Sequence, residues 1–237
     1  MAENSDNTKD KEKLLDAFEE KLDKILIKAE EKKSTELVDI FTAILLSLAT
    51  IGSAWCAFQS TLWGGIQTFE LAYSGKAGRI ASENFIKAYQ KRAFDATMVM
   101  KYIDASEEGN IKMQDFYFSK FDSTLKKNTV EWLKLDPFNN ENAPNSPMRM
   151  QTYVLKEEID AEIQSNLSAE KLASANEANT TSDKYVALTV FFAAALFFGG
   201  IAGTMNSIMV RNVCLIISSL IFLITLILLI NMPVTAI

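Results

Sequence analysis

Three long apolar segments constrain this chain of 237 residues more than any other feature of its sequence. They run from about Leu37 to Phe58, from Tyr185 to Met205 and from Val213 to Ile230. A helix rises about 1.5 Å per residue and the hydrocarbon core of a bilayer is about 30 Å thick, so each segment is long enough to cross it. One such stretch could be a buried helix of a soluble protein, but three together predict an integral membrane protein.

The remaining residues divide around these spans. Residues 1–36 form a charged tail, residues 59–184 separate the first two spans, and residues 206–212 form a tight turn before the third. Apolar residues recur at helical spacing through residues 59–184, where no strand pattern of any length occurs. The sequence therefore predicts an all-α membrane protein with three transmembrane helices and an extramembrane helical bundle inserted between the first and second.

Within that bundle the sequence predicts three helices. The first runs from about Gly64 to Ala105 and the second from about Lys112 to Lys134, with stop signals at Gly109 and Asn110 between them. A loop rich in asparagine and proline follows, and the third helix is predicted from about Met148 into the second span.

Lysine and arginine near the span ends predict the orientation. Eight lysines precede the first span, and Arg211 lies in the turn between the second and third. Because basic residues are retained on the cytoplasmic side, we expect the tail inside and the bundle outside. The tail is charged where a signal peptide needs an apolar core, so we expect the first span to be an uncleaved anchor.

The tail carries a heptad pattern formed by apolar residues at alternating spacings of three and four. These residues are Leu15, Phe18, Leu22, Ile25 and Ala29. A short parallel coiled coil between subunits and a marginal single helix both fit this pattern. A helix lying on the membrane surface is a weaker alternative, because acidic residues are mixed with the lysines of the polar face.

Small residues follow one face of the first span, and we call this face the seam. The seam consists of Ala43, Ser47, Thr50, Ala54, Ala57, Thr61 and Gly64. In the second span, Ala195, Gly199 and Gly203 repeat every four residues. Small residues let membrane helices approach closely, so we predict that these two spans pack together. Packing within one subunit is the favoured interpretation, and a contact between subunits is the alternative.

A second face of the same helix carries Trp55, Gln59, Trp63 and Gln67, again every four residues. Tryptophan at a membrane boundary is an ordinary anchor, but a glutamine amide there needs a polar partner. The face is either a hydrogen-bonded brace between the first span and the extramembrane domain or the mouth of a pore. The brace is favoured, because no ionisable residue lies in the middle of a span.

Few residues suited to chemistry are present. The chain has no histidine, and its two cysteines, Cys56 and Cys214, lie in apolar segments. The net charge is −6 with no basic run, which excludes the usual phosphate-binding surface of a nucleic-acid partner. The acidic clusters lack metal-binding spacing, and no nucleotide or nucleophile motif occurs. The sequence therefore predicts no enzyme, no metal and no cofactor, and it identifies no ligand.

The string from Trp55 to Gln67 resembles the end of the first span in a family of small prokaryotic membrane proteins. Two further stretches, Trp132 to Asn139 and Asn179 to Tyr185, resemble the same family in the same order. The resemblance covers most of the chain after Leu37 and implies a three-span protein of a prokaryotic cell membrane. It implies no activity, because that family has no assigned function.

Together these patterns favour a non-enzymatic integral membrane protein whose partners are the lipid bilayer and further copies of itself. We expect a homo-oligomeric scaffold or sensor with an outward helical domain. The alternative is a channel or transport component whose pore is lined by the first span, with Gln59, Gln67, Ser47 and Thr50 as lining residues.

Overall fold

The structure, a computed structural model, describes residues 3–205 and 207–236, with side chains for Lys21, residues 36–205 and residues 207–236. Its helices are α1 (Glu3–Glu107), α2 (Ile111–Lys120), α3 (Ser123–Leu133), α4 (Lys156–Thr204) and α5 (Ile208–Ile230), with a 3₁₀ turn at Pro147–Arg149. No β-strand occurs within the described ranges, so the predicted all-α class is confirmed.

Three helices are long and apolar enough to cross a membrane. They are the part of α1 from Glu36 onward, α4 and α5. Apart from Met205, which follows the end of α4, the three predicted spans lie within these helices, so the expectation of three candidate transmembrane helices is confirmed. The tail backbone belongs to α1, whereas the side chains of the heptad residues lie outside the described residues, and the coiled coil stays a prediction.

The helix predicted from Lys112 to Lys134 is wrong as a single element, because the structure divides it into α2 and α3. Phe121 takes an extended conformation after α2, with ψ 139°. Asp122 then caps α3, its side chain accepting a hydrogen bond from the N–H of Leu125 at 2.7 Å. A capping aspartate satisfies a free N–H of a new helix, so the chain restarts there instead of continuing.

Two predicted helix starts are also wrong. α4 begins at Lys156 instead of Met148, because Met148, Tyr153 and Leu155 are buried and hold the preceding segment in an irregular conformation. α5 begins at Ile208, well before the apolar run at Val213, with Ser207 as its N-cap. Arg211, which the sequence placed in the predicted turn of residues 206–212, lies inside this helix and does not interrupt it.

The chain forms two compact units. We call Met1–Gly64 with Thr180–Ile237 the span unit, and Gly65–Asn179 the central unit. The core of the span unit consists of Leu45, Ala49, Cys56, Tyr185, Leu188, Phe192, Ala195 and Phe222. Phe192 is fully buried, and its ring lies so close to Gly52 that a Cβ there would stand 2.7 Å from the ring tip.

The central unit has two zones of packing. Its hydrophobic core consists of Ala88, Val99, Phe121, Leu125, Met148, Tyr153 and Leu155. Farther along, α1 and α4 meet through small residues, where the Ser74 hydroxyl donates to the Ser168 carbonyl at 2.8 Å and the Ser168 hydroxyl donates to the Ser74 carbonyl at 2.9 Å. Such reciprocal bonds require the two helix backbones to lie close together.

Candidate functional site

Gln59, at the end of the first span, contacts the non-helical segment that follows α5. Its side chain is fully buried, and its Nε2 donates to the carbonyl of Thr235 at 3.1 Å. The N–H of Thr235 donates to Gln59 Oε1, also at 3.1 Å. Both ends of one amide therefore bind the backbone of a single residue.

Two further side chains converge on the same segment. Trp63 Nε1 donates to the Pro233 carbonyl at 3.2 Å, and the Tyr185 hydroxyl donates to that carbonyl at 3.0 Å. We call Gln59, Trp63 and Tyr185 the notch. Backbone groups outside a helix need partners where water is scarce, and the notch supplies them at the end of a candidate span.

The other two residues of the predicted polar face lie outside the notch. Trp55 is 43% exposed and its ring lies 5.8 Å from that of Phe58, centroid to centroid. Gln67 is half-buried and belongs to the central unit. The structure thus gives Gln59 and Trp63 a partner after α5, where the sequence suggested the extramembrane domain. Tyr185 was missed, although an aromatic residue beginning a span is a readable signal.

The seam lies on the outside of the single chain. Ala43, Ser47, Thr50, Ala54, Ala57 and Thr61 are all exposed, and Gly64 is half-buried. A different face of α1 makes the intrachain contacts, and its buried residues include Thr42, Leu45, Ala49, Cys56 and Gln59. The seam residues from Ala43 to Thr61 are therefore not the ones that pack the first span against the rest of this chain.

The hydroxyls of the seam bind their own helix. Ser47 donates to the Ala43 carbonyl at 2.8 Å, Thr50 to the Leu46 carbonyl at 2.8 Å, and Thr61 to the Ala57 carbonyl at 3.0 Å. A hydroxyl that is bonded to the preceding turn leaves no free donor in hydrocarbon. The seam consequently presents a smooth surface of small side chains.

In the second span the three predicted packing residues differ in whether another helix covers them. Ala195 is fully buried, and its carbonyl accepts a hydrogen bond from the Ser218 hydroxyl of α5 at 2.6 Å. A Cβ on Gly199 would lie 2.8 Å from a methyl carbon of Leu46 and 3.1 Å from the Ser218 hydroxyl. Gly203 is exposed, and a Cβ there would meet no atom within 4 Å. Ala195 and Gly199 thus lie at helix contacts, and Gly203 does not.

A polar cluster in the central unit was not predicted from the sequence. Asp95 is 4% exposed and accepts a hydrogen bond from the Tyr153 hydroxyl at 2.6 Å. Lys91 lies 3.5 Å from Asp95 and also pairs with Asp122 at the start of α3. Burial and the bond to Asp95 raise the pKa of Tyr153 far above its ordinary value, so the phenol remains a donor.

Arg92 extends this cluster to the segment before α4. It donates to the Met148 carbonyl at 3.0 Å, pairs with Glu158, and lies 5.2 Å from the centre of the Tyr153 ring. Each of these charged groups is matched by another member of the cluster. In the part of the chain that the structure describes, no three histidine, cysteine, aspartate or glutamate side chains are grouped to hold a metal ion. The cluster suits a structural clamp that holds irregular backbone against α1.

The chain has no match among protein-family models, curated proteins or solved structures. The resemblance of the string from Trp55 to Gln67 to prokaryotic three-span proteins therefore stays an expectation, and function must be argued from the contacts described above.

Proposed function

We propose that this protein is a non-enzymatic integral membrane protein that assembles with copies of itself through the seam of the first span. The helical bundle predicted between the first two spans would then be carried on the assembly as a scaffold or sensor. The observation that carries the proposal is the exposure of the seam from Ala43 to Thr61, while the contacts of α1 with its own chain use a different face.

The physical basis is the way helices associate in lipid. Apolar side chains gain little from leaving lipid for protein, so association depends on close van der Waals packing of helix backbones. A seam of alanine, serine and threonine allows a second helix to approach in a way that the bulky exposed side chains of Ile44, Leu48 and Ile51 do not. The first span of a second copy is the partner that brings an equal seam.

The state of Gln59 supports this scaffold over the alternative of a channel. A pore lined by the first span would need Gln59 to face water, and its side chain is instead fully buried and bonded to Thr235. Ser47 and Thr50, the proposed lining hydroxyls, are bonded to their own helix. These contacts leave little polar surface on α1 with which to line a pore.

We further propose that the lysine-rich tail is cytoplasmic and the bundle lies outside a prokaryotic cell membrane. The support is the distribution of basic residues, with eight lysines in the tail and Arg211 in the first turn of α5.

Disulfide cross-linking in native membranes tests the assembly. Thr50→Cys and Ile51→Cys would each be made in a background with Cys56→Ala and Cys214→Ala. Both positions are exposed near the middle of the span, but they point about 100° apart on the helix. A disulfide needs Cα atoms within about 7 Å, so a seam-to-seam contact should give a dimer band for Thr50→Cys on oxidation and little for Ile51→Cys.

Equal cross-linking of both variants would indicate random collision and would count against the seam. Absence of cross-linking in both, together with a monomeric mass of the unmodified protein in mild detergent, would refute the assembly itself. A dimer band from Ile51→Cys alone would keep the assembly but move its interface to the bulky face.

A further inference from the structure

Each of the four hydrogen bonds of the notch involves a backbone atom of Pro233 or Thr235, which lie two positions apart in the chain. Trp63 and Tyr185 both donate to the carbonyl of Pro233, and Gln59 binds both the N–H and the carbonyl of Thr235. The two bonds between Gln59 and Thr235 resemble those of two opposed residues in antiparallel strands, where each residue donates one N–H and accepts one. The Gln59 amide thus takes the place of a neighbouring strand.

The notch is built from side chains of two helices of the span unit. Gln59 and Tyr185 are both fully buried, the first on α1 and the second on α4, and Tyr185 belongs to the core of the span unit. If the segment left, a buried amide and a buried hydroxyl would lose their partners. Leaving such groups unsatisfied is unfavourable, and another peptide backbone in the same place would restore the same hydrogen bonds.

The side chains of the segment are much less constrained than its backbone. Val234 lies between the two bound residues and is 62% exposed. Met232 packs against the core of the span unit just before the bound residues. Recognition by the notch therefore rests on backbone geometry, with one apolar contact upstream.

We propose that the notch is a binding site for an extended peptide backbone, and that residues 233–235 are its resident, displaceable ligand. The ligand class is a short peptide that presents a free carbonyl at one residue and both the N–H and carbonyl two residues later. The site is independent of the assembly proposed above, because every contact it uses lies within the span unit of one chain.

A peptide-binding measurement tests this site. The chain is shortened after Asn231, and a fluorescent peptide with the sequence of residues 231–237 is added to the protein in nanodiscs. We expect the fluorescence anisotropy of the peptide to rise and saturate as the shortened chain is added. Binding to the full chain should be at least tenfold weaker, because its own tethered segment competes at high effective concentration. In the shortened chain, Gln59→Leu should weaken binding by about tenfold or more.

The matched control is the same peptide carrying an N-methyl group on the residue equivalent to Thr235. It keeps every side chain but cannot donate to Gln59 Oε1, so we expect about tenfold weaker binding. Equal binding of the two peptides would mean that the peptide partitions into lipid, and it would overturn the proposal. So would absence of binding to a shortened chain that stays monodisperse.

If the shortened chain aggregates, the full chain carrying Thr235→Pro decides the question. Proline removes the N–H that Gln59 Oε1 accepts, and Ala236→Pro, which removes the next N–H instead, is its control. Peptide binding to Thr235→Pro that exceeds binding to Ala236→Pro by tenfold supports the site, and equal or absent binding refutes it. The oligomeric mass of each variant is measured alongside, so that loss of assembly is recognised separately from loss of peptide binding.

Discussion

At the scale of single residues, the glycines of the spans differ in what their missing side chain permits. Gly52 lets the buried ring of Phe192 pack against the backbone of α1, because three ring atoms lie within 3.0 Å of the place that a Cβ on residue 52 would occupy. Gly203 faces open space. The spacing of small residues marked Gly203 and passed over Gly52, because spacing shows which residues share a face and not which face another helix covers.

Gly52→Ala should therefore destabilise the protein, and Gly203→Ala should not. An added methyl at Gly52 must displace a rigid ring in a closed core, which typically costs about 1–3 kcal/mol. At Gly203 the methyl meets nothing, and alanine is the better helix former by about 1 kcal/mol. Thermal unfolding of both variants in the same detergent is the measurement. A midpoint for Gly52→Ala equal to that of Gly203→Ala would show that Phe192 moves freely.

The bond between Tyr153 and Asp95 leads to a second prediction at this scale. Tyr153→Phe removes the only hydroxyl of that side chain and leaves a carboxylate that is 4% exposed with Lys91 at 3.5 Å as its remaining ion-pair partner. We expect a loss of about 1–3 kcal/mol in the free energy of unfolding. Tyr89→Phe is the control, since Tyr89 is 75% exposed and its change should be close to neutral. Equal midpoints for the two variants would contradict the role given to Asp95.

At the scale of helices, local sequence signals predicted most of the helices. They did not predict the contacts between residues that are distant in the sequence. Long apolar runs sufficed for the three spans, and Gly109 with Asn110 correctly suggested the end of α1 near Glu107. Gln59 was singled out because an amide at the end of a span needs a partner. Its partner Thr235 lies 176 residues away and carries no motif, so no pattern in the sequence joins the two. The irregular segment before α4 depends likewise on burial that only the folded chain provides.

The start of α3 gives a prediction about pH. Burial alone would raise the pKa of Asp122, but the N–H of Leu125 and the charge of Lys91 outweigh burial and hold that pKa below its ordinary value. A lowered pKa in the folded state adds stability above the unfolded pKa of about 4, and this stability is lost as the pH falls through the folded value.

Asp122→Ala should lower the free energy of unfolding by about 1 kcal/mol at pH 7, mainly through loss of the helix cap. Asp122→Asn keeps a cap and loses only the partly exposed ion pair with Lys91. Unfolding midpoints at pH 7 and pH 3 measure both effects. The difference between the natural protein and Asp122→Asn should shrink at pH 3. A difference that grows on acidification would show that the carboxylate is not stabilised by its neighbours.

At the scale of the whole molecule, the contacts at the ends of the three candidate spans are those that three crossings would require. A chain that crosses three times brings the end of its first span, the start of its second and the end of its third to one membrane face. The notch joins these three places through Gln59, Tyr185 and Pro233. Asp39 and Arg211 pair at 3.7 Å near the start of the first span and after the second, the two places that three crossings bring to the opposite face.

Labelling of intact cells tests which face is outside. Ser123→Cys in α3 and Ser5→Cys in the tail would be made separately in a background with Cys56→Ala and Cys214→Ala, then treated with a maleimide that cannot cross the membrane. Eight lysines in the tail favour its retention in the cytoplasm, so we expect labelling at Ser123→Cys and none at Ser5→Cys until the cells are lysed. Long extramembrane segments follow this charge rule weakly, which makes the tail and Arg211 the residues on which the expectation depends. Labelling at Ser5→Cys alone would invert the protein and place any partner of the bundle in the cytoplasm. It would leave the notch unchanged, because contacts within the span unit do not depend on the side of the membrane that the notch faces.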